Sequence, residues 1–168
     1  MTNRLFINNK DAWLTWGVTL RKGSYDALRL GAPQKEYISN DSLAQHGKQY
    51  FTGQSRVDER QVILMFYLDA SSELEYYQRS KAFEAELRKG LLLFRIPSLF
   101  TEYKLILNNF SDLTTWHKGS KAVFSARFTE PNPTDRESTL ITARILTDDQ
   151  QIGFTDNDNE ILTEDIRG

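Results

Sequence analysis

The densest cluster of charged side chains in the sequence is the run at residues 56–60, which leads into a long apolar segment. Asp58 and Glu59 are adjacent within it, and a small hydrolase uses two carboxyl groups as general acid and general base. Alternating charges at the start of a strand more commonly form ion pairs on a solvated or interfacial surface. We therefore predict an ion-pair ladder here and no catalytic residues, with a small hydrolase using Asp58 and Glu59 as the alternative.

Residue types that hold metals or cofactors are sparse. His46 and His117 are far apart in the chain and match no metal-binding or catalytic-triad spacing. The acidic stretch at residues 156–160 resembles the first half of a calcium loop, but Ile161 stands where the loop needs glycine and Arg167 where it needs a bidentate acid. There is no glycine-rich phosphate loop and no dinucleotide fingerprint. The sequence therefore predicts no metal site and no cofactor.

Three tryptophans are the remaining candidates for ligand binding. Trp13, Trp16 and Trp116 could stack against sugars or bases if they were exposed. Tryptophan more often packs in a core or in a subunit interface. They keep open an alternative function, that of a monomeric β-sandwich module that recognises carbohydrate or peptide through exposed aromatic side chains.

Composition defines the class of protein. The chain has 168 residues, of which 39% are apolar and 12% aromatic, and it has no cysteine. This is the composition of a globular protein, and the length suits one domain or one domain with a tail. The absence of cysteine excludes disulfides, thiolate metal sites and cysteine nucleophiles. No stretch approaches the roughly 18 consecutive apolar residues of a membrane-spanning helix, so we predict no membrane partner.

Charge is distributed unevenly along the chain. Residues 147–168 contain seven acidic side chains and one basic side chain, a net charge of −6, whereas the other 146 residues carry +4. A body charge of +4 is too weak to indicate specific nucleic-acid binding. We predict a folded domain at residues 1–133 and an acidic C-terminal arm at residues 134–168. Opposite charges suggest that the arm meets a basic surface, within one subunit or between subunits.

Two elements stand out in the pattern of apolar residues. Residues 62–68 are apolar without interruption, which is typical of a central strand that is covered on both faces. Residues 72–89 predict a helix, because Ser72 and Glu75 form a capping box and Gly90 follows the last turn. Its inward side is expected to carry a narrow stripe of mainly aromatic and aliphatic residues, namely Tyr76, Ser80, Phe83 and Leu87.

Most of the other elements predicted are strands. An N-terminal hairpin is expected to turn at residues 8–11, with Gly17 as a bulge in its second strand, and residues 21–34 are expected to form a loop. Alternation at residues 121–129 predicts that Phe124 and Phe128 face inward. Pro131 and Pro133 end the sheet, because proline cannot donate to a strand ladder. Further strands are predicted at residues 4–7, 12–20, 35–39, 48–52, 56–69, 91–96 and 102–110.

The acidic arm contains a short imperfect repeat. Residues 145–149 read Ile-Leu-Thr-Asp-Asp, and residues 161–165 read Ile-Leu-Thr-Glu-Asp. Two copies are too few for a repeat architecture. They predict two short strands that pair with each other or with the sheet edge of a neighbour, and a mobile acidic tail is the alternative.

The order of these pieces resembles a family of phage proteins. The features that carry the resemblance are the N-terminal hairpin at residues 5–11 and 16–20, the charged strand entry at 56–60, and the helix end at 89–90. Strands closing at residues 128–133 complete it. This pattern is similar to prophage-encoded tail proteins, in particular the N-terminal ring-forming domain of distal tail proteins and tail-tube subunits.

The resemblance implies a mainly β (α+β) fold, an antiparallel β-sandwich or barrel with one flanking helix at about residues 72–89. It implies a non-enzymatic structural protein of the virion, assembled in the bacterial cytoplasm, with no catalytic residues. Six copies are expected to close into a homohexameric ring and to contact other tail or baseplate proteins. Physical reasoning agrees with this expectation, because a sheet with open edges gains by pairing them between subunits around an axis.

Overall fold

A computed structural model describes residues 4–41, 46–53 and 55–138 of the chain, together with three short strands beyond them. The helices are α1 (Ala12–Trp16), α2 (Lys22–Arg29) and α3 (Glu73–Leu87), with a 3-10 turn at Pro97–Leu99. The strands are β1 (Phe6–Ile7), β2 (Lys10–Asp11), β3 (Val18–Leu20), β4 (Ser39–Asn40), β5 (Gln49–Tyr50), β6 (Arg60–Asp69), β7 (Leu91–Ile96), β8 (Thr101–Trp116), β9 (Lys121–Glu130), β10 (Glu137–Ser138), β11 (Ile145–Leu146), β12 (Ile152–Thr155) and β13 (Ile161–Thr163).

Eight strands form one antiparallel sheet. Its order is β2-β1-β7-β8-β9-β6-β3, and β10 pairs with the first residues of β8. The longest ladder joins β6 to β9 over ten residue pairs, from Arg60 opposite Glu130 to Asp69 opposite Lys121. The prediction of a mainly antiparallel β fold with a flanking helix is confirmed.

The sheet is curled like a barrel. The evidence is that its two edge strands, β2 and β3, are joined by a very short segment of chain. Laid flat, seven strands would span roughly 29 Å at the usual strand spacing. Only six residues separate β2 at one end from β3 at the other, and five of them form α1. A helix of that length advances roughly 8 Å. The ends of the sheet must therefore approach each other, with α1 between them.

The core fills the inside of this curled sheet. Phe83 of α3 makes edge-on contacts with Trp16, Phe66 and Phe124, at ring-centre distances of 5.4 to 6.0 Å. Phe128 of β9 continues the cluster by packing against Phe66. These contacts join α1, α3 and the two central strands in one aromatic cluster. Phe124 and Phe128 therefore face inward, as predicted for residues 121–129.

The N-terminal hairpin exists, but its second strand is β2 and not residues 12–20. Asn8 and Asn9 adopt left-handed φ angles of 50° and 64°, which makes the turn two residues long. The Asp11 side chain then accepts hydrogen bonds from the backbone N–H groups of Trp13 and Leu14, and this cap starts α1. The strand prediction was wrong for residues 12–17, because it did not recognise Asp11 as a helix cap, whereas residues 18–20 form the strand β3.

Gly17 and the segment after it also differ from the prediction. Gly17 is the left-handed C-cap of α1, with φ 66°, and not a bulge within a strand. The predicted loop at residues 21–34 contains α2, whose Ser24 and Leu28 are buried. This helix covers the edge of β6 where the short strand β3 ends.

The central strand β6 is fully covered on one face only. Val62, Leu64, Phe66 and Leu68 are buried, whereas every second residue between them faces away from the core. Ile63 is 49% exposed. The prediction that both faces are covered was wrong for the chain taken alone, because α3 packs on the inner face but the outer face is covered only in part. There Gly23 of α2 lies beside Met65, and Trp116 stacks on Tyr67.

The helix α3 follows its prediction closely. Ser72 caps the N–H of Glu75, while the carboxylate of Glu75 accepts from the backbone of Ser71 and not of Ser72. The predicted inward side is correct, since Phe83 and Leu87 are buried. The helix ends at Leu87, two residues earlier than predicted.

The strands of the acidic arm form a small sheet of their own. Its order is β11-β12-β13, and all pairs are antiparallel. The two repeated segments therefore do not pair with each other, because each pairs with the intervening strand β12. The acidic residues at 156–160 and 164–165 lie outside the described residues. The boundary predicted at residue 133 stays a prediction.

Candidate functional site

The last residue of the charged run at residues 56–60, Arg60, has a structural role. Asp58 and Glu59 are exposed, and the Asp58 carboxylate accepts a hydrogen bond from the backbone N–H of Glu59. Arg60 is buried, and its Nε donates to Oε2 of Glu130 at 2.8 Å. Glu130 is also buried and accepts two hydrogen bonds from Arg136 at 2.7 and 2.9 Å. This triad joins the first residue of β6 to the last of β9, and Asp58 and Glu59 remain in solvent outside any enclosed site.

The two histidines lie far from any cluster of ligands. His46 is exposed in the β4–β5 connection, and His117 adopts a left-handed φ of 50° in the turn after β8. Within the described ranges, no group of three or more histidine or acidic side chains could hold a metal ion. The calcium-like stretch at residues 156–160 lies outside those ranges. In the same part of the chain, no helix combines the length and apolar character needed to cross a bilayer.

The three tryptophans have different environments. Trp16 is 3% exposed and belongs to the core, so it cannot bind a ligand at the surface. Trp13 is half-buried in a hollow that Arg79 and His117 also line. Trp116 is 37% exposed and stacks on Tyr67, with ring centres 6.0 Å apart.

A hairpin that projects from the curled sheet is the most exposed apolar feature. It comprises residues 33–58, apart from 42–45 and 54, and we refer to it as the projecting hairpin. Backbone hydrogen bonds hold its base, from Asp58 to Pro33 at 2.8 Å and from Lys35 to Arg56 at 2.8 Å. Every described residue from 33 to 59 is exposed. The large apolar side chains exposed on it are Tyr37, Ile38, Tyr50, Phe51 and Val57.

This hairpin lacks a hydrophobic layer of its own. A two-stranded hairpin is marginally stable in water unless it packs against another element. Ile38 and Phe51 are opposite each other across the hairpin and are 75% and 69% exposed. Ile38 and Phe51 line one hollow of the hairpin, and neighbouring exposed apolar side chains of this kind are candidates for a contact with a partner.

A groove lies between α3 and β8, and we refer to it as the α3–β8 groove. Its volume is about 400 Å³, and its floor is formed by Phe83, Phe110 and Phe124. Tyr76 lines one side, and burial raises the pKa of its phenol above the ordinary value. Leu113 lines the other side and is 63% exposed.

The strand that borders this groove has a free edge. β7 pairs with residues 101–106 of β8, and β9 pairs with β8 on the other side. From residue 107 to 116, no strand in the described ranges occupies the β7 side. A bulge interrupts the pairing between Ser111 and Thr114, and Asp112 within it has a left-handed φ of 54°. Free strand edges are sites for strand addition.

The sequence did not predict the α3–β8 groove, and it did not predict that the hairpin extends away from the sheet. The two short predicted strands at residues 35–39 and 48–52 are the hairpin's arms, since β4 and β5 pair with each other. The sequence signal was the presence of apolar residues in two segments that show no alternation of apolar and polar residues. Such apolar residues are unusual in a surface loop. The groove has no signature in the sequence, because it depends on β8 being longer than β7.

Comparison with known proteins supports the fold. No family model matches the chain, and no curated protein matches its sequence. Among solved structures, it is similar to the Dit protein (gp 19.1) of SPP1, described as a paradigm of the hub adsorption apparatus of phages that infect Gram-positive bacteria. The TM-score is 0.53 at 10% sequence identity. The match covers 90% of this chain and 51% of Dit, so the chain spans about half the length of that protein. This chain therefore has a fold like that of a phage distal tail protein.

Proposed function

We propose that this protein is a non-enzymatic structural subunit of a phage tail, of the distal-tail or tail-tube type. The observation that carries the proposal is the likeness of fold to SPP1 Dit over 90% of the chain. In this proposal six copies close into a ring that contacts other tail or baseplate proteins in the virion. The gene belongs to a phage or prophage genome, and adjacent tape-measure or baseplate genes would support that origin.

The exposed apolar surface supports assembly. Ile63 and Met65 alternate with core residues on the outer face of β6 and are 49% and 36% exposed. The projecting hairpin adds a second apolar surface, and the free edge of β8 adds unpaired backbone groups. These features are costly in a monomer but are satisfied when copies pack around a rotation axis.

Light scattering after size-exclusion chromatography tests the proposal. We expect a mass about six times the 19.5 kDa of one chain at high protein concentration, and ring-shaped particles in negative-stain images. A mass of one chain at every concentration would contradict it. It would then favour the alternative, a monomeric module that binds carbohydrate or peptide through Trp13 or Trp116.

A further inference from the structure

We infer that the buried triad of Arg60, Glu130 and Arg136 couples two surface segments that are far apart in the sequence. One is the base of the projecting hairpin. The other is the segment at residues 134–138, which leads from the sheet towards the acidic arm and which we refer to as the exit segment. When the exit segment is displaced, Arg136 leaves Glu130, and the end of α2 and the base of the hairpin become looser. The inference concerns a single chain, so it does not depend on the proposed function.

Arg60 anchors the hairpin side of the triad. Its Nη1 donates to the carbonyl oxygens of Leu28, at 3.2 Å, and of Leu30. These carbonyls lie at the end of α2, where the helix itself supplies no further donors. Leu30 comes just before the hairpin in the chain, and Arg60 comes just after it. One guanidinium group therefore holds together the two chain segments from which the hairpin projects.

Arg136 anchors the exit segment to the same carboxylate. Its Nε donates to Oε1 of Glu130 at 2.7 Å, and its Nη2 donates to Oε2 at 2.9 Å, the paired geometry in which arginine binds a carboxylate most strongly. Among the described residues, Arg136 is the only hydrogen-bond donor to Oε1. The Nε of Arg60 donates to the other oxygen, Oε2, at 2.8 Å. The orientation of this carboxylate thus depends on one arginine from each segment.

The other side-chain contacts of the exit segment are weak. Its strand β10 is two residues long, and Glu137 lies opposite Glu102 of β8, which is an unfavourable pair of like charges. Lys104 forms ion pairs with Asp135 at 3.0 Å and with Glu137 at 3.4 Å. Both of these acidic side chains are exposed, and exposed ion pairs contribute little. We therefore regard Arg136 as the main side-chain anchor of the exit segment.

Burial is what transmits the loss of Arg136 to the hairpin side. Glu130 is 1% exposed, and the buried ring of Tyr103 has its centre 6.0 Å from the guanidinium of Arg60 and 5.1 Å from that of Arg136. Without Arg136, Oε1 has no donor, and a buried carboxylate oxygen without a donor is costly. The oxygen then competes for the guanidinium of Arg60 or draws in water. Either change disturbs the contact that holds the end of α2.

Hydrogen exchange of the backbone amides, followed by NMR on the full chain, tests the inference. Arg136→Met removes the guanidinium group and keeps an unbranched side chain. Arg127→Met, at an exposed arginine of β9, is the matched control. The reporters are three hydrogen-bonded amides at the end of α2 and the base of the hairpin, those of Leu30, Lys35 and Asp58.

We expect Arg136→Met to speed exchange at the three reporter amides by roughly tenfold, because a hydrogen bond to a charged group is lost. The acceleration should be smaller in the central ladder between β6 and β9, which opens only with the whole fold. Arg127→Met should leave the reporters at the wild-type rate. Arg136→Lys, which keeps the charge but not the paired geometry, should give an intermediate rate and replaces the methionine variant if that variant does not fold.

Coupling is reciprocal, so a change on the hairpin side should be felt in the exit segment. Arg60→Met is therefore expected to speed exchange of the Asp135 amide, which donates to the Asn132 carbonyl at 3.0 Å. The acceleration there should again exceed that of the central ladder.

Faster exchange confined to residues 131–138 in Arg136→Met would overturn the inference, because Arg136 would then fix only its own segment. Unchanged or slower exchange at the reporters would also overturn it. So would an equal acceleration at every amide, since the variant would then have lost global stability alone. None of these results bears on the proposed ring, which is tested separately by the mass of the oligomer.

Discussion

The hydroxyl of Ser24 takes the place of a missing strand beside Met65. Its Oγ accepts a hydrogen bond from the Met65 N–H at 2.8 Å and donates to the Met65 carbonyl at 3.0 Å. The ladder of β3 ends at Leu20 opposite Phe66. The Met65 carbonyl also accepts a hydrogen bond from the Arg21 N–H at 2.9 Å, so it is the Met65 N–H that depends on Ser24. A single buried side chain in α2 thus continues the edge of the sheet by one residue.

Ser24→Ala is expected to destabilise the fold by about 1–3 kcal/mol, because the backbone N–H of Met65 loses its hydrogen-bond acceptor, whereas the Met65 carbonyl keeps the Arg21 N–H. Urea unfolding measures the change. The exposed Ser98, in the turn at Pro97–Leu99, provides the control, and Ser98→Ala should change stability by less than about 0.5 kcal/mol. Equal effects of the two substitutions would contradict the role assigned to Ser24.

Gly17→Ala is expected to lower the stability of the fold more than Ser24→Ala does. Gly17 has φ 66°, and a Cβ atom there would be 2.3 Å from both the carbonyl oxygen of Asp69 and a guanidinium nitrogen of Arg79. The left-handed conformation alone costs an alanine about 1–2 kcal/mol, and the contact with backbone adds to it. Thermal unfolding should show a lower midpoint than the wild type.

Gly31 is the matched control for that substitution. A Cβ atom at Gly31 would meet nothing within 4 Å, and its φ is not in the left-handed region. Gly31→Ala should therefore leave the melting temperature nearly unchanged. If Gly17→Ala and Gly31→Ala had the same melting temperature, the close contacts described for a Cβ atom at Gly17 would be wrong.

Replacing one member of the Arg60–Glu130 pair is expected to cost about 3–5 kcal/mol, because the other charge stays buried without compensation. Glu130→Gln tests this by chemical unfolding, since it also weakens the contact with Arg136. The double variant Arg60→Met with Glu130→Leu removes both buried charges. It should be considerably more stable than Glu130→Gln alone, and a double variant that is less stable would refute this account.

Glu86 should make stability depend on pH. Burial acts to raise the pKa of this carboxyl group, but hydrogen bonds from Lys10, Asn8 and Lys89 outweigh burial and hold the pKa at about 2, below the ordinary value of 4.5. Because the folded-state pKa is depressed, the stabilisation is complete above about pH 4.5. It is lost as the pH falls towards 2.

Glu86→Gln should therefore cost about 3 kcal/mol at pH 7, and much less near pH 2.5. Urea titrations of wild type and variant at several pH values measure the difference. The exposed Glu36 is the control, and Glu36→Gln should change stability by less than about 0.5 kcal/mol at pH 7. A constant difference for Glu86→Gln across this range would show that its hydrogen bonds do not favour the ionised form.

The sequence predicted those elements whose signals are local. Ser72, the uninterrupted helix behind it and Gly90 were enough to place α3, and alternation at residues 121–129 was enough to place β9 and its inward face. The two short helices were missed for different reasons. The cap at Asp11 was taken as part of a turn, and α2 is stabilised by Ser24 and Leu28 packing on β6, which is a contact between distant parts of the chain.

The candidate surfaces were less predictable than the elements. The apolar run at residues 62–68 indicated burial on both faces, whereas the structure of one chain fully covers only the inner face. Composition cannot tell whether a second layer comes from the same chain or from a partner. The groove depends on the difference in length between β7 and β8, a property that appears only when their register is known.

The position of the first twenty residues has a consequence for biosynthesis. β1 pairs with β7, which begins at Leu91, and β3 pairs with β6, which begins at Arg60. There is therefore an interval between the translation of this segment and the translation of either partner strand. At ordinary elongation rates, that interval is on the order of five to ten seconds. During this time Leu5, Ile7 and Val18, which are buried in the finished fold, lack the strands beside which they are buried.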